Sequence, residues 1–191
     1  ETVLEAGDVV IQGGAQHRWR VDGPGPCTYW ATLMRPSEGP VPVELSAGTG
    51  DSPVRRVITG SAPMRETHAP VAVAGASTTI VDVWQTGGPL RHVEQGGDAP
   101  LPWALDPLGG GVAMRWLQMQ PHDETAGMWH ATPTIDIDVV LAGRLAMELD
   151  DGARVELGPG DVVVQRGTNH RWLPLGDEPV RFAALMFGLP G

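Results

Sequence analysis

The chain has 191 residues, of which 41% are hydrophobic, enough apolar material for one well-buried domain but hardly for two full ones. Its net charge of -10 argues against DNA or RNA as a partner, because phosphate binding needs a basic patch. All thirteen basic residues are arginine, which excludes a Schiff-base lysine, and the single cysteine, Cys27, excludes an intrachain disulfide. No apolar stretch nears 18 residues and no charged-then-apolar leader is visible, so we expect a cytoplasmic protein with no membrane partner.

The first predicted element is half of an internal repeat. Residues 7–19 read GDVVIQGGAQHRW and residues 160–172 read GDVVVQRGTNHRW, with identity at 9 of 13 positions. The similarity continues on both sides, so residues 1–37 repeat residues 154–190 without the front half of that module. We therefore predict a partial repeat of β-strands at 1–37, a linker at 38–53 and the main domain at 54–191.

The main domain is predicted to be β structure almost throughout. Runs of β-branched residues that end at Gly- or Pro-containing turns predict strands. In chain order these are Arg55–Thr59, Thr78–Gln85, Val112–Gln118, Ile135–Glu148 with a break at Ala142-Gly143, Arg154–Leu157, Val162–Val164, a strand from His170, and Val180–Phe187. Short strands at this spacing are typical of an all-β sandwich or barrel.

Two of these segments resemble the motifs of the cupin superfamily. Residues 135–143 (IDIDVVLAG) resemble the strand that ends the first cupin motif, and residues 158–172 resemble the second motif. The resemblance covers residues 54–191 and the partial copy at 1–37. It implies a cupin jelly-roll β-barrel with an extra N-terminal β segment, which is a fold that hosts many reactions.

The resemblance also implies a set of metal ligands. Cupins usually hold a divalent transition metal with two His and a Glu from the first motif and one His from the second. The matching positions here are His130, Asp136 and His170, while Thr132 stands in place of the second His. Such a set would leave positions open for water, substrate or dioxygen, and iron, zinc, manganese or nickel could each use it.

Strand periodicity places two aspartates on one face. Because side chains alternate along a strand, Thr134, Asp136, Asp138 and Val140 share a face. Buried aspartates cost free energy unless they are paired, so Asp138 is a candidate catalytic residue, as a general base or as a group that orients a His. The alternatives are a satisfied polar residue for Asp138, and a hydrogen-bonded His–Asp pair without any metal.

For the other candidate residues the sequence predicts a location and no chemical role. Thr132, Met147 and Trp172 are candidate pocket residues, although Trp172 fits the core equally well. His17 matches His170 but has no first motif beside it, so we expect no metal site there. The remaining histidines, His68, His92 and His122, are expected at the surface. The loop His122-Asp123-Glu124 is expected near the barrel entrance.

The N-terminal copy also predicts an assembly. Its strands, within residues 3–34, are expected to extend the main sheet or that of a neighbouring subunit, because an unpaired edge needs covering. This predicts a homodimer.

Two functions remain open from the sequence. One is a metal-dependent cupin enzyme that acts on a small organic molecule by dioxygenation, isomerisation, cyclisation or decarboxylation. The other is a non-catalytic cupin that binds a small ligand without a tightly held metal.

Overall fold

A computed structural model describes residues 2–34, 54–59, 65–69, 71–74, 78–91, 104–121 and 127–189. Within these ranges the fold is all-β, apart from a short 3-10 turn at Leu108–Gly110. The strands are β1 (Val9–Gln12), β2 (Arg55–Thr59), β3 (Arg65–His68), β4 (Val71–Ala74), β5 (Thr78–Gln85), β6 (Val112–Met119), β7 (Thr134–Ala142), β8 (Arg144–Leu149), β9 (Arg154–Leu157), β10 (Val162–Arg166), β11 (His170–Leu175) and β12 (Val180–Gly188). The predicted linker at 38–53, His92 and the loop at 122–124 lie outside the described residues.

The all-β prediction is confirmed, and most strands lie where turns and β-branched runs placed them. The sequence missed β3 and β4, because strands of four residues carry too little alternation to be recognised. The break between β7 and β8 falls at Gly143, as predicted. Gly143 has a φ of +74°, and a Cβ there would lie 2.6 Å from the carbonyl oxygen of Pro179, so only glycine fits this turn.

Two antiparallel sheets face each other as the halves of a jelly roll. One has six strands in the order β10-β7-β12-β6-β5-β4, and the other has the order β11-β8-β9. Val140 and Phe182 from the larger sheet pack with Leu145 and Trp172 from the smaller one in a shared core. Among the described residues no strand ladder joins these two sheets, so the jelly-roll barrel is not closed by a continuous ladder of strands.

The strand register separates polar from apolar residues on the inner face of the larger sheet. Residues paired directly across strands project to the same side, so they form rows. From the start of β7 to its end, the rows are Gln165-Asp136-Met186, then Val163-Asp138-Ala184-Arg115-Asp82, then Val140-Phe182-Leu117-Ile80. The polar groups therefore gather at one end of the interior and the apolar core fills the other.

The two copies of the internal repeat adopt different structures. In the second copy, β10 pairs with β7 and β11 pairs with β8. Among the described residues of the first copy, only Val9–Gln12 forms a strand, which pairs in parallel with β2 in a separate sheet of order β1-β2-β3. Residues 13–34 form no strand, unlike the prediction for this segment, because the strands that β10 and β11 pair with have no counterpart there. The division into domains stays a prediction.

Candidate functional site

The structure brings His130 and His170 into direct contact. The segment before β7 and the start of β11 form an isolated antiparallel bridge, in which each His donates its backbone N–H to the other's carbonyl, at 3.0 and 2.9 Å. The two imidazole centroids lie 4.3 Å apart. Two histidines that are 40 positions apart in sequence therefore share one place in the fold, as the two motifs predicted.

Both imidazoles are held in the same tautomer. The Nδ1 of His130 bonds to the carbonyl of Met128 at 3.1 Å, and the Nδ1 of His170 bonds to the carbonyl of Thr168 at 2.9 Å. A carbonyl only accepts, so each Nδ1 carries a proton, and in the neutral form of each ring the lone pair lies on Nε2. Burial lowers the pKa of His170, and the neighbouring His130 lowers it further, against the opposing effect of the Thr168 hydrogen bond. His170 is therefore a neutral base at pH 7.

Asp136 lies on the inner face with one oxygen left unpaired. Its side chain is buried, and its Oδ1 has no hydrogen-bond partner among the residues that the structure describes, whereas the adjacent hydroxyls of Thr132 and Thr134 bond to each other at 2.6 Å. Burial raises the pKa of Asp136, which hydrogen bonding from Thr134 and the charges of His130 and Arg115 partly offset. An orphaned buried carboxylate oxygen is costly, and such groups call for an explanation. A cation or a substrate proton at this position would pair it.

Asp138 lies on the same face, deeper in the interior. Its side chain is 5% exposed, and its inward direction agrees with the alternation predicted for Thr134 to Val140, all four of which are buried. Burial, with the charge of Asp136 adding to it, raises the pKa of Asp138 to about 8. This carboxyl therefore holds its proton at neutral pH and would act as an acid before it acted as a base.

The candidate pocket residues line the opposite sheet. Trp172 pairs with Met147 across β11 and β8, and its ring lies 5.4 Å from His170 and 5.5 Å from Phe182. Both side chains belong to the central apolar cluster, Trp172 fully buried and Met147 at its edge. They therefore form an aromatic and thioether part of the core, as the alternative for Trp172 predicted, and their role as pocket residues stays a prediction.

Three buried polar residues of this interior escaped sequence reasoning: Asp82, Arg115 and Gln165. Arg115 donates from Nε to Asp82 at 3.0 Å and from its Nη atoms to the carbonyls of Ala104 and Leu105. Each of these residues lies at an inward-facing position of an apolar strand, and a polar or charged residue at such a position was the signal that could have revealed them.

Beside His130, Trp129, Arg171 and Glu148 form a stacked ion pair, which we call the rim. The guanidinium of Arg171 lies 4.9 Å from the ring centroid of Trp129 and bonds to Glu148 through Nε and Nη2, at 2.8 and 2.6 Å. Hydrogen bonding from Arg171, with help from Arg154, lowers the pKa of Glu148. Because Trp129 is the residue before His130, this stack fixes the backbone that carries the imidazole.

The donors here suit a divalent transition metal by their chemistry. Two Nε2 lone pairs and an unpaired carboxylate oxygen are of the kind that such metals take. These donors do not form a complete metal site in this structure. Among the described residues, no three His, Cys, Asp or Glu side chains are grouped so that they would hold a metal ion.

Other candidate residues lie apart from this interior. His17 and Cys27 are exposed in the N-terminal segment, and His68 is exposed on β3. An open cleft of about 340 Å³ lies at the far end of β7, around Gly143 and Arg144, and contains none of the predicted ligands. We place the candidate site at the His130–His170 end, where the imidazoles and the buried aspartates lie, rather than in that cleft.

Comparisons with known proteins agree with the sequence motifs. Residues 115–187 match the Cupin domain family (Cupin_2), which confirms the resemblance. This part of the chain contains β7 to β11, most of β6 and β12, and all the predicted ligands. No helix among the described residues is long and apolar enough to cross a membrane.

Similar curated proteins match over shorter stretches. The chain is 44% identical over 65 residues to Oryzines biosynthesis cluster protein J of Aspergillus oryzae, covering 34% of this chain and 35% of that protein. It is 45% identical over 65 residues to Phomopsin biosynthesis cluster protein D of Diaporthe leptostromiformis, covering 34% and 33%. It is 41% identical over 44 residues to the cupin-domain-containing oxidoreductase fogC of Aspergillus ruber, covering 23% and 22%. The chain thus spans about a third of the length of the first relatives.

Solved structures also resemble part of the chain. A Cupin 2 conserved barrel domain protein from Salinispora arenicola has 25% identity and a TM-score of 0.35, over 47% of this chain and 70% of that one. An RmlC-like cupin with a double-stranded β-helix fold from Methanocaldococcus jannaschii has 11% identity and a TM-score of 0.37, over 40% and 70%.

Proposed function

We propose that this chain, whose residues 115–187 form a cupin domain, is a metal-dependent enzyme that acts on a small organic molecule. His130, Asp136 and His170 would be the protein ligands. The observation that carries the proposal is the unpaired Oδ1 of buried Asp136, on the inner wall at the end where two imidazoles meet with their Nε2 lone pairs free.

The protein would prepare this site in two ways. Carbonyls at Met128 and Thr168 hold both imidazoles by Nδ1, so the rings are oriented and kept in the ligating tautomer before anything binds. Thr132 stands in place of the usual second His, and its hydroxyl is hydrogen-bonded with that of Thr134, so the chain would supply no further ligand from this position. A bound divalent metal would supply Lewis acidity toward an oxygen of the substrate or of water.

Proton transfer would fall to the chain itself. Asp138 carries a proton at neutral pH and lies two residues from Asp136 on the same face. It would donate that proton to a substrate atom and recover it from the product. Asp138 is 5% exposed, and its cross-strand neighbours are Val163 and Ala184, so bulk water would compete little for this proton. The reaction class stays open; one similar relative is described as an oxidoreductase, and two others belong to biosynthesis clusters.

A non-catalytic binding module is the second candidate. It is favoured by the absence, among the residues the structure describes, of three donor side chains grouped to hold a metal ion. In that case the aromatic part of the core and the neutral Asp138 would bind an uncharged ligand with hydrogen-bond donors and acceptors.

Elemental analysis distinguishes the two. The chain is purified without an affinity tag that binds metal, loaded separately with iron, zinc, manganese and nickel, and desalted. We expect close to one equivalent of one metal in the wild type and in His68→Ala, an exposed histidine that serves as the control, and loss of that metal in His170→Ala. No retention of any of the four metals by the wild type would refute the enzyme proposal and favour the binding module.

A further inference from the structure

The internal repeat preserves the same His–Trp contact in both copies. In the second copy the rings of His170 and Trp172 meet edge to face, with centroids 5.4 Å apart and an angle of 79° between their planes. In the first copy the rings of His17 and Trp19 meet in the same way, at 5.7 Å and 72°. Both pairs have the geometry in which the edge of one aromatic ring is attracted to the face of another.

The hydrogen bond of the imidazole recurs as well. The Nδ1 of His17 bonds to the carbonyl of Ala15 at 2.9 Å, and the Nδ1 of His170 bonds to the carbonyl of Thr168, also at 2.9 Å. In each copy the acceptor lies two residues before the His, and the Trp lies two residues after it. Each imidazole is therefore held between two partners from its own short segment.

A third ring lies against each Trp. Tyr29 is 5.6 Å from Trp19, and Phe182 is 5.5 Å from Trp172, in both cases ten positions later in the chain and with tilted planes. In the second copy, Trp172 and Phe182 both belong to the central apolar cluster. Trp172 is therefore fixed by the core on one side, and it contacts the ring of His170 on another.

The first copy separates the local contacts from the effect of burial. His170 and Trp172 are 3 and 7% exposed at the start of β11, whereas His17 is exposed, Trp19 is 49% exposed, and neither of these two lies in a strand. The first pair thus forms without a strand ladder or a packed core around it. A geometry that persists without those forces is set by the residues of the segment itself.

We propose that Trp172 is a positioning residue for His170. The carbonyl of Thr168 selects the tautomer with its lone pair on Nε2, and the Trp172 ring limits rotation of the imidazole, so that the Nδ1–H stays on its acceptor. An edge-to-face contact favours the oriented ring by on the order of 2- to 10-fold in population. This role rests on the proposed function, in which His170 is a metal ligand, and Trp172 acts through His170 without being a ligand itself.

Nitrogen NMR of the metal-free full chain measures the orientation. At pH 8 in EDTA, long-range proton–nitrogen correlations report which imidazole nitrogen carries the proton, and His170→Gln and His17→Gln assign the signals. We expect His170 to be protonated on Nδ1 in the wild type and in Trp172→Phe. In Trp172→Leu, the ratio of this tautomer to the other is expected to fall by about 2- to 10-fold. The matched control Trp19→Leu is expected to change the signals of His17 alone.

Zinc affinity, measured by competition with a chelating dye, tests the consequence for binding. We expect Trp172→Leu to weaken zinc binding by about 10-fold, because removal of a partner that orients a metal ligand typically costs 10- to 100-fold. Trp172→Phe, which restores a ring, is expected to stay within about threefold of the wild type. Trp19→Leu is expected to bind zinc as the wild type does.

The two measurements have separate outcomes. Circular dichroism establishes that each variant is folded, and if Trp172→Leu is not, Trp172→Met, which fills the space with a longer side chain but no ring, takes its place. An unchanged tautomer of His170 in the folded variant without a ring would overturn the proposal, as would an unchanged affinity where the wild type binds zinc. A wild type that binds no zinc counts against the proposed function, and the tautomer of His170 then decides the positioning role alone.

Discussion

The ionisation of Asp138 gives a quantitative test of the proposed acid. Its pKa rises from 3.8 to about 8 in the folded chain, chiefly because burial penalises the charged form. At about 1.4 kcal/mol per pKa unit, the folded chain favours the neutral carboxyl by on the order of 6 kcal/mol relative to the unfolded chain.

The sign of the effect follows from proton binding. Between pH 4 and 8 the folded chain keeps a proton on Asp138 that the unfolded chain has released. The contribution to stability is therefore fully present below pH 3.8 and is lost as the pH rises to about 8, with a slope that approaches 1.4 kcal/mol per pH unit. From pH 5 to pH 8 the loss is about 4 kcal/mol.

Urea denaturation followed by tryptophan fluorescence measures this slope. The experiment is run from pH 5 to pH 8 in the presence of EDTA, on the wild type, Asp138→Asn and the exposed control Asp150→Asn. We expect the free energy of unfolding of the wild type and of Asp150→Asn to fall with pH, and that of Asp138→Asn to fall by several kcal/mol less. Parallel slopes for the wild type and Asp138→Asn would show that Asp138 is ionised in the folded chain, and the assignment of an acid would fail.

Two further substitutions test the frame of the site. Arg115→Met removes the ion-pair partner of buried Asp82 and is expected to lower the free energy of unfolding by about 3–5 kcal/mol. Adding Asp82→Leu is expected to recover most of that loss. The urea midpoints at pH 7 measure both effects, and no rescue by the second substitution would contradict the ion-pair argument. Gly143→Ala must fit a Cβ 2.6 Å from the Pro179 carbonyl at a φ of +74°, so a loss of about 1–3 kcal/mol is expected by thermal or urea unfolding, and an unchanged midpoint would contradict the turn geometry.

The sequence was informative where local rules act alone. β-Branched runs and Gly-containing turns placed β7 to β12, and the period of two set the inward direction of Asp136 and Asp138. The pairing of His130 with His170 came from the resemblance, because spacing alone does not say which strands meet.

The remainder depended on tertiary partners. Arg115 lies in a strand whose apolar neighbours gave no hint that Asp82, 33 positions earlier, would stand beside it. The segment His17-Arg18-Trp19 has the same three residues as His170-Arg171-Trp172 but forms no strand. The second segment is a strand because β11 pairs with β8, and the first segment has no such neighbour among the described residues. Local sequence sets what a segment can form, and the neighbouring strand decides whether it forms.

The backbone bridge between His130 and His170 ties together the two segments that carry the imidazoles. Each residue donates one backbone hydrogen bond and accepts the other, so neither backbone segment can move without straining both bonds. A ligand that displaced the backbone of His130 would therefore also displace the start of β11. That strand carries Arg171, which pairs with Glu148, and the buried Trp172. Residues at the surface and in the buried core are thus attached to the same strand, β11.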